Sequence, residues 1–142
     1  MTMQIEEEIF ISAQPKSLFD AWTEPQHLTV WWGSDEEFRT VEFVRELAVG
    51  GKWRAKFRHV SGALFSASGE YRRVDPPNHL SFTWKPEWND EPASLIELEF
   101  RKVSGGTLLR LRQTGLPSQE AVAENKAAWT PTMDWLKCYL ER

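Results

Sequence analysis

The heptapeptide KWRAKFR, residues 52–58, alternates strictly between basic and apolar side chains. Because successive side chains of an extended chain point to opposite faces, this period of two predicts a strand with one buried face, formed by Trp53, Ala55 and Phe57. The same alternation recurs in three later segments, at residues 80–84, 96–100 and 109–112. Less regular strand candidates are residues 4–11, 39–47 and 64–74. The sequence therefore predicts a sheet that is apolar on one face.

Short turn signals separate these strand candidates, at Gly50-Gly51, Ser61-Gly62, Asp75–Asn78 and Ser104–Gly106. Glycine, proline and asparagine favour tight turns, and strands joined by tight turns pair as antiparallel hairpins. Residues 88–92 form a longer and more exposed excursion within one hairpin. We therefore expect an antiparallel meander.

Three segments break the strand pattern and are typical of helices. Residues 15–22 and 25–32 are short candidates, and each begins with a proline, which the first turn of a helix tolerates. Residues 118–142 form the long candidate, with apolar side chains at helical spacing at Trp129, Met133, Leu136 and Leu140. Pro131 interrupts it, so we expect the helix to kink there or to restart near Trp129. A sheet with one apolar face wraps readily around such a helix, which predicts an α+β fold.

Composition limits the class of protein. A chain of 142 residues suits a single domain, residues 1–142, and 41% hydrophobic residues with a mean hydropathy of −0.51 indicate a folded, soluble protein. The excess of 21 acidic over 17 basic residues argues against a nucleic-acid partner. No apolar run approaches the roughly 18 residues of a membrane span, and the acidic residues 6–8 argue against a secretory signal. The expected location is cytoplasmic.

The residue types that most often carry chemistry are few and scattered. Cys138 is the single cysteine, which excludes an internal disulfide and predicts a small buried side chain rather than a nucleophile. His27, His59 and His79 lie in different elements and lack ligand spacing, so no metal is expected. Gly50-Gly51 lacks the further glycines of a phosphate loop, so no cofactor is expected.

A set of local motifs runs through the chain in a fixed order. Residues 11–33 read ISAQPKSLFDAWTEPQHLTVWWG, and the later motifs are Gly50–Trp53, Gly69–Tyr71, Val74–Pro77, Leu80–Trp84 and Gly106-Thr107. This order resembles the family named after the activator of the ATPase of the heat-shock protein 90 chaperone, within the START-like (SRPBCC), birch-allergen-like superfamily. The resemblance implies a helix-grip fold, in which a curved antiparallel sheet wraps around a long C-terminal helix and two short helices follow the first strand.

Two segments depart from the pattern of that family. Glu46–Val49 stands where relatives usually carry an acidic residue, a hydrophobic residue, Arg and Pro, so no role of that Arg is transferred. Ala128–Pro131 surrounds Trp129 where relatives commonly have Gly-Trp. The resemblance therefore does not fix the path of the C-terminal helix.

Aromatic residues are in excess, since the chain has eight Trp and eight Phe. In the superfamily that the chain resembles, the space between sheet and helix is an elongated apolar cavity, and rigid rings suit its walls. We expect the ligand-binding wall to consist of Phe43, Trp53, Phe65, Tyr71, Phe82, Trp84, Leu98, Trp129 and Met133. The alternative is that these side chains fill a solid core.

Polar groups on the inner face would indicate a ligand anchor or a catalytic site. Alternation places Val41, Phe43 and Arg45 inward and Glu42 outward. Arg45 then either anchors an acidic group of a ligand or lies in solvent at the strand end. Further polar candidates are Glu70, Arg73 and Gln113.

Three tryptophans, Trp22, Trp31 and Trp32, cluster on the two short helices near the expected cavity entrance. Neighbouring residues on a helix point in different directions, so one of Trp31 and Trp32 is expected to be partly exposed. The cluster is either a staple that holds these helices on the sheet, or a pocket lip or partner surface.

The expected function is binding of a small apolar or amphipathic molecule in the cavity without catalysis, and two alternatives remain. One is a protein-interaction module that docks on a chaperone or another protein, and the other is an enzyme of the cyclase or aromatase kind. A wholly apolar pocket favours ligand binding, a closed core the interaction module, and a pocket with two opposed ionisable groups the enzyme. A monomer and a homodimer are both open.

Overall fold

The computed structural model describes residues 3–33 and 38–142. Its strands are β1 (Ile5–Ile11), β2 (Phe38–Arg45), β3 (Lys52–His59), β4 (Leu64–Asp75), β5 (His79–Pro86), β6 (Ser94–Val103) and β7 (Gly106–Thr114). Its helices are α1 (Pro15–Thr23), α2 (Pro25–Trp31) and α3 (Gln119–Leu140). The strands form an antiparallel sheet in the order β1-β7-β6-β5-β4-β3-β2, and the predicted helix-grip fold is confirmed.

The order of strands follows from the connections. From β2 to β7 each strand pairs with its neighbour in sequence, as the short turns require, so the meander is confirmed. β1 pairs with β7 instead, in a register that sets Ile5 opposite Gln113 and Ile11 opposite Thr107. Helices α1 and α2 therefore connect the two edge strands, and their buried side chains pack on the inner face of the sheet. Phe19 of α1, for example, meets Phe100 of β6 edge to face, with ring centroids 6.1 Å apart.

The period of two holds along β3 but not along all of β2. Trp53, Ala55 and Phe57 are each at most 3% exposed, as their alternation predicts. In β2 the pairing with β3 shifts register between Thr40 and Glu42. The extra residue turns Val41 outward, where it is 39% exposed, so its predicted inward position is wrong.

Helices α1 and α2 begin as predicted, each with a proline in its first turn. The indole N–H of Trp31 donates to the backbone oxygen of Ala21, 2.7 Å away, and thereby ties α2 to α1. Trp22 and Trp31 are buried with ring centroids 5.1 Å apart. Trp32 is the half-buried member of the cluster, which confirms that Trp31 and Trp32 face different surroundings.

Helix α3 is the long C-terminal helix. The Ser118 hydroxyl caps it by accepting a hydrogen bond of 3.0 Å from the backbone N–H of Ala121. The helix continues through Pro131, so of the two expected effects of this proline, a kink or a restart near Trp129, the restart is wrong. Its buried side includes Trp129, Met133 and Leu136. Cys138 is exposed, which corrects its prediction as a buried side chain.

The buried apolar residues form one connected core between the inner face of the sheet and the three helices. The outer face of the sheet is charged and carries cross-strand ion pairs such as Arg110 with Glu8 (3.2 Å) and Arg112 with Glu97 (3.5 Å). In residues 3–33 and 38–142 no helix is long and apolar enough to cross a membrane.

Candidate functional site

A cavity of about 400 Å³, hereafter the main cavity, opens between the inner face of the sheet and α3. The sheet contributes Phe57, Phe65 and Trp84, all of which alternation places inward. On the opposite side lie residues of α3: Asn125, Ala128, Trp129, Pro131, Thr132 and Trp135. Trp32, Phe38, Trp88 and Gln113 complete the wall.

The aromatic wall of the main cavity is held together by ring contacts centred on Trp84. Its ring centroid lies 5.8 Å from that of Trp32, 5.8 Å from that of Trp53 and 6.0 Å from that of Trp88. Trp88 also meets the edge of Phe57, at 6.4 Å. Rings that are fixed by their neighbours lose little rotamer freedom when a ligand binds.

A polar corner of the main cavity is formed by Gln113, which is fully buried. Its amide nitrogen donates to the hydroxyl of Ser94 at 2.9 Å and to the side-chain oxygen of Asn125 at 3.3 Å. Its amide oxygen accepts from the indole N–H of Trp129 at 2.8 Å. Gln113 therefore uses both amide hydrogens within the protein, and it fixes Trp129 in the wall.

A second and much smaller space, hereafter the small chamber, has a volume of about 10 Å³. It is lined by Trp22, Leu28, Trp32, Phe43, Trp53, Tyr71 and Phe82. The rings around it pack closely, with centroids 5.8 Å apart for Trp53 and Phe82 and 6.4 Å apart for Tyr71 and Phe82. This half of the interior is close to a filled core.

The predicted wall residues are thus divided between three places. Phe65, Trp84 and Trp129 line the main cavity. Phe43, Trp53, Tyr71 and Phe82 line the small chamber. Leu98 and Met133 are buried in the core and line neither space.

The sequence analysis did not identify several residues of the main cavity. Asn125 and Trp135 lie on α3, but they are not among the apolar residues at helical spacing, such as Trp129 and Met133, that predicted the buried side of this helix. Trp88 belongs to the excursion between β5 and β6, and its 47% exposure agrees with that prediction although its ring covers part of the wall. The available signal was the size of the side chain, because a large ring in a loop is usually placed against other apolar groups.

Arg45, the predicted polar anchor, is paired with groups of the protein. Its Nε donates to the backbone oxygen of Thr23 at 2.9 Å, and its guanidinium lies 3.3 Å from the carboxylate of Glu24. These contacts tie the end of β2 to the junction of α1 and α2. Arg45 is not among the residues that line either space.

Two buried side chains of the small chamber have unpaired polar atoms. The indole nitrogen of Trp22 and the phenol oxygen of Tyr71 have no hydrogen-bond partner among the residues that the structure describes. Burial raises the pKa of Tyr71 well above its ordinary value; the charge of Arg45 lowers it and that of Glu24 raises it further. Tyr71 is therefore a neutral phenol over the physiological pH range.

The remaining ionisable candidates lie outside both spaces. Glu42 pairs with Arg54 at 3.6 Å, and Arg73 pairs with Asp75 at 3.4 Å. Glu70 lies 2.6 Å from Lys52, and the hydrogen bond from this lysine lowers the pKa of the Glu70 carboxyl. Among the described residues that line the main cavity, none has an ionisable side chain.

The histidines are engaged separately. His27 is hydrogen-bonded to Tyr139, His59 to Ser61, and His79 lies 3.4 Å from Glu99. Within residues 3–33 and 38–142, no group of three or more His, Cys, Asp or Glu side chains is placed to hold a metal ion.

Comparisons with known proteins agree with this fold. Residues 12–141 match the family described as Activator of Hsp90 ATPase homolog 1-like protein. A protein from Chromobacterium violaceum is 20% identical, with 98% of this chain and 97% of that chain covered and a TM-score of 0.87. The AHSA1-like protein from Aeromonas hydrophila is 25% identical, with 98% and 92% covered and a TM-score of 0.84.

A further similar structure is CalU16 from Micromonospora echinospora, which is 25% identical, with 96% of this chain and 75% of that chain covered and a TM-score of 0.74. No curated protein sequence matches the chain at a significant level.

Proposed function

Since this chain belongs to the Activator of Hsp90 ATPase homolog 1-like family, whose fold it shares, we propose that it binds a small apolar or amphipathic molecule in the main cavity and does not transform it. The observation that carries this proposal is the cavity itself, about 400 Å³ of space walled mainly by aromatic rings. Pockets for small molecules usually span about 300–1,000 Å³ and are mostly apolar. The ligand is therefore a compact molecule of modest size.

The chemistry of the wall supports an uncharged occupant. A charged group would lose its hydration in the cavity without gaining an opposite charge, because the described lining residues carry none. Because the described lining residues have no ionisable side chains, they also offer no pair of groups for general acid and base catalysis. The polar side chains of the wall are hydrogen-bonded within the protein: Gln113 to Asn125 at 3.3 Å, and Thr132 to the backbone oxygen of Ala128 at 2.7 Å.

The test is a fluorescence titration with N-phenyl-1-naphthylamine, a neutral dye that brightens in apolar surroundings. We expect saturable binding with a Kd in the micromolar range, about −8 kcal/mol. Ala128→Trp on α3 places an indole in the cavity and should weaken binding at least about tenfold, which corresponds to roughly 1.4 kcal/mol. Ala127→Trp is the matched control, because Ala127 is also exposed on α3 but does not line the cavity.

The two outcomes are separable. Binding that is lost in Ala128→Trp and kept in Ala127→Trp supports the main cavity as the site. Absence of saturable binding to the wild-type protein, or equal losses in both variants, contradicts it.

A second candidate function is protein docking, because large apolar side chains are exposed at the start of β4 and in the excursion between β5 and β6. Leu64 is 54% exposed and Trp88 is 47% exposed, and the ring of Trp88 meets that of Phe65 at 6.1 Å. Exposed apolar groups of this kind often belong to partner surfaces. Docking on a heat-shock protein 90 chaperone would change the ATPase rate of the purified chaperone, and Leu64→Asp should remove that change while leaving dye binding intact.

A further inference from the structure

Two side chains that line the small chamber have buried polar atoms without a hydrogen-bond partner among the described residues. Trp22 is 4% exposed and Tyr71 is 2% exposed, and both line this chamber. Their polar atoms, the indole Nε1 and the phenol oxygen, have no hydrogen-bond partner in residues 3–33 and 38–142. Buried polar groups of native proteins are nearly always paired, because an unpaired one loses its hydration without compensation. A group from outside the protein is the natural partner.

The size of the chamber limits that partner to one small group. Its volume is about 10 Å³, and about 10–15 Å³ of such space holds a single water-sized oxygen. The indole N–H can only donate, whereas a phenol can donate or accept. A single oxygen that accepts from Trp22 and pairs with Tyr71 would satisfy both side chains.

The chamber adjoins the main cavity through one shared side chain. Trp32 lines both spaces, and it is half-buried. The two spaces thus meet at this ring, and a ligand that occupies both would have to pass its edge.

The charges near the chamber favour a neutral oxygen over an anion. Arg45 is the cation whose charge lowers the pKa of Tyr71, and its guanidinium is already paired with Glu24 at 3.3 Å. A carboxylate placed in the chamber would thus lose its hydration near a cation that is already paired, and it would also be too large for a space of one oxygen.

We propose that the small chamber is the polar subsite of the ligand site: it holds the hydroxyl or carbonyl oxygen of an otherwise apolar, uncharged molecule, between the indole N–H of Trp22 and the phenol of Tyr71. This inference rests on the proposed function and names the chemical class of its ligand.

The experiment measures displacement of N-phenyl-1-naphthylamine by 1-decanol, n-decane and decanoate from the wild-type protein and from Tyr71→Phe. Phenylalanine keeps the ring and removes only the unpaired hydroxyl, so the variant should fold. We expect Tyr71→Phe to weaken the binding of 1-decanol about five- to tenfold, which is the effect of one hydrogen bond. The same substitution should change the affinity for n-decane less than about twofold. Decanoate should bind the wild-type protein more weakly than 1-decanol.

Two further variants make the assignment specific. Trp22→Phe removes the indole N–H and should also weaken 1-decanol selectively. Asn125→Ala removes a polar group of the main cavity instead, and it should change the affinities for 1-decanol and n-decane by the same factor. A selective loss of 1-decanol binding in Asn125→Ala, with none in Tyr71→Phe, would place the hydroxyl of the ligand beside Asn125 in the main cavity and overturn the inference.

The remaining outcomes distinguish the inference from its premise. If the dye and n-decane bind but 1-decanol binds Tyr71→Phe as tightly as the wild-type protein, the polar subsite is contradicted while ligand binding in the main cavity is still supported. If neither the dye nor n-decane binds the wild-type protein, both proposals fall.

Discussion

The main cavity and the small chamber are both walled by aromatic rings, yet one encloses about 400 Å³ and the other about 10 Å³. What differs is the side opposite the sheet. Over the small chamber, α1 and α2 present the large side chains of Trp22 and Leu28. Over the main cavity, α3 includes the small side chains of Ala128 and Thr132 beside its tryptophans. Empty space therefore depends on small residues facing the rings rather than on the number of rings.

The largest expected effect comes from removing a ring in each region. Phe82 lies in the filled half and is 7% exposed, so Phe82→Ala should lower the free energy of unfolding by about 3–5 kcal/mol. Phe65 borders the main cavity and is 36% exposed, so Phe65→Ala should cost about 1 kcal/mol or less while weakening dye binding. Urea unfolding of both variants checks the contrast, and equal losses would show that the two halves are packed alike.

The next effect comes from adding a ring. Phe82→Trp enlarges a side chain where the neighbours already touch, and overpacking should cost about 1–3 kcal/mol. Ala128→Trp extends into open space and should change the free energy of unfolding by about 0.5 kcal/mol at most, as for a surface substitution. Thermal and urea unfolding compare the two variants. A large loss of stability in Ala128→Trp would mean that the cavity cannot hold an added ring.

The smallest expected effect concerns the phenol in the small chamber. Because burial raises the pKa of Tyr71 above its usual value of about 10, the unfolded chain releases this proton first as the pH rises. The free energy of unfolding of the wild-type protein should therefore fall relative to that of Tyr71→Phe, by roughly 1 kcal/mol between about pH 9 and pH 11. Urea unfolding across this range measures the difference, and a constant difference would mean that the phenol is accessible to water.

The sequence predicted the fold well because its signals are local. The alternation of residues 52–58 and the apolar spacing around Trp129 depend only on neighbouring residues, and both correspond to elements of the structure. Val41 failed for a definite reason: a register shift between β2 and β3 adds one residue, and a pattern of period two does not show where it occurs.

The candidate site was predicted less completely because it depends on which elements face each other. Alternation identified Trp53 and Trp84 as inward, but only tertiary packing decides that Trp84 borders the main cavity while Trp53 borders the small chamber. Gln113 was identifiable because it continues the inward positions of Leu109 and Leu111 with a polar side chain. Its partner Asn125 was not identifiable, because no local pattern shows that a strand residue will contact a helix residue 12 positions later.

The most direct test of the central claim, that the main cavity is the ligand site, is residue-resolved solution NMR of the eight indole N–H groups during titration with naphthalene. The account predicts saturable shifts for the tryptophans that line the main cavity, which are Trp32, Trp84, Trp88, Trp129 and Trp135. It predicts much smaller shifts for Trp31, which is buried and hydrogen-bonded to the backbone oxygen of Ala21. Shifts that are absent, unsaturable or equal for Trp31 and Trp129 would contradict it.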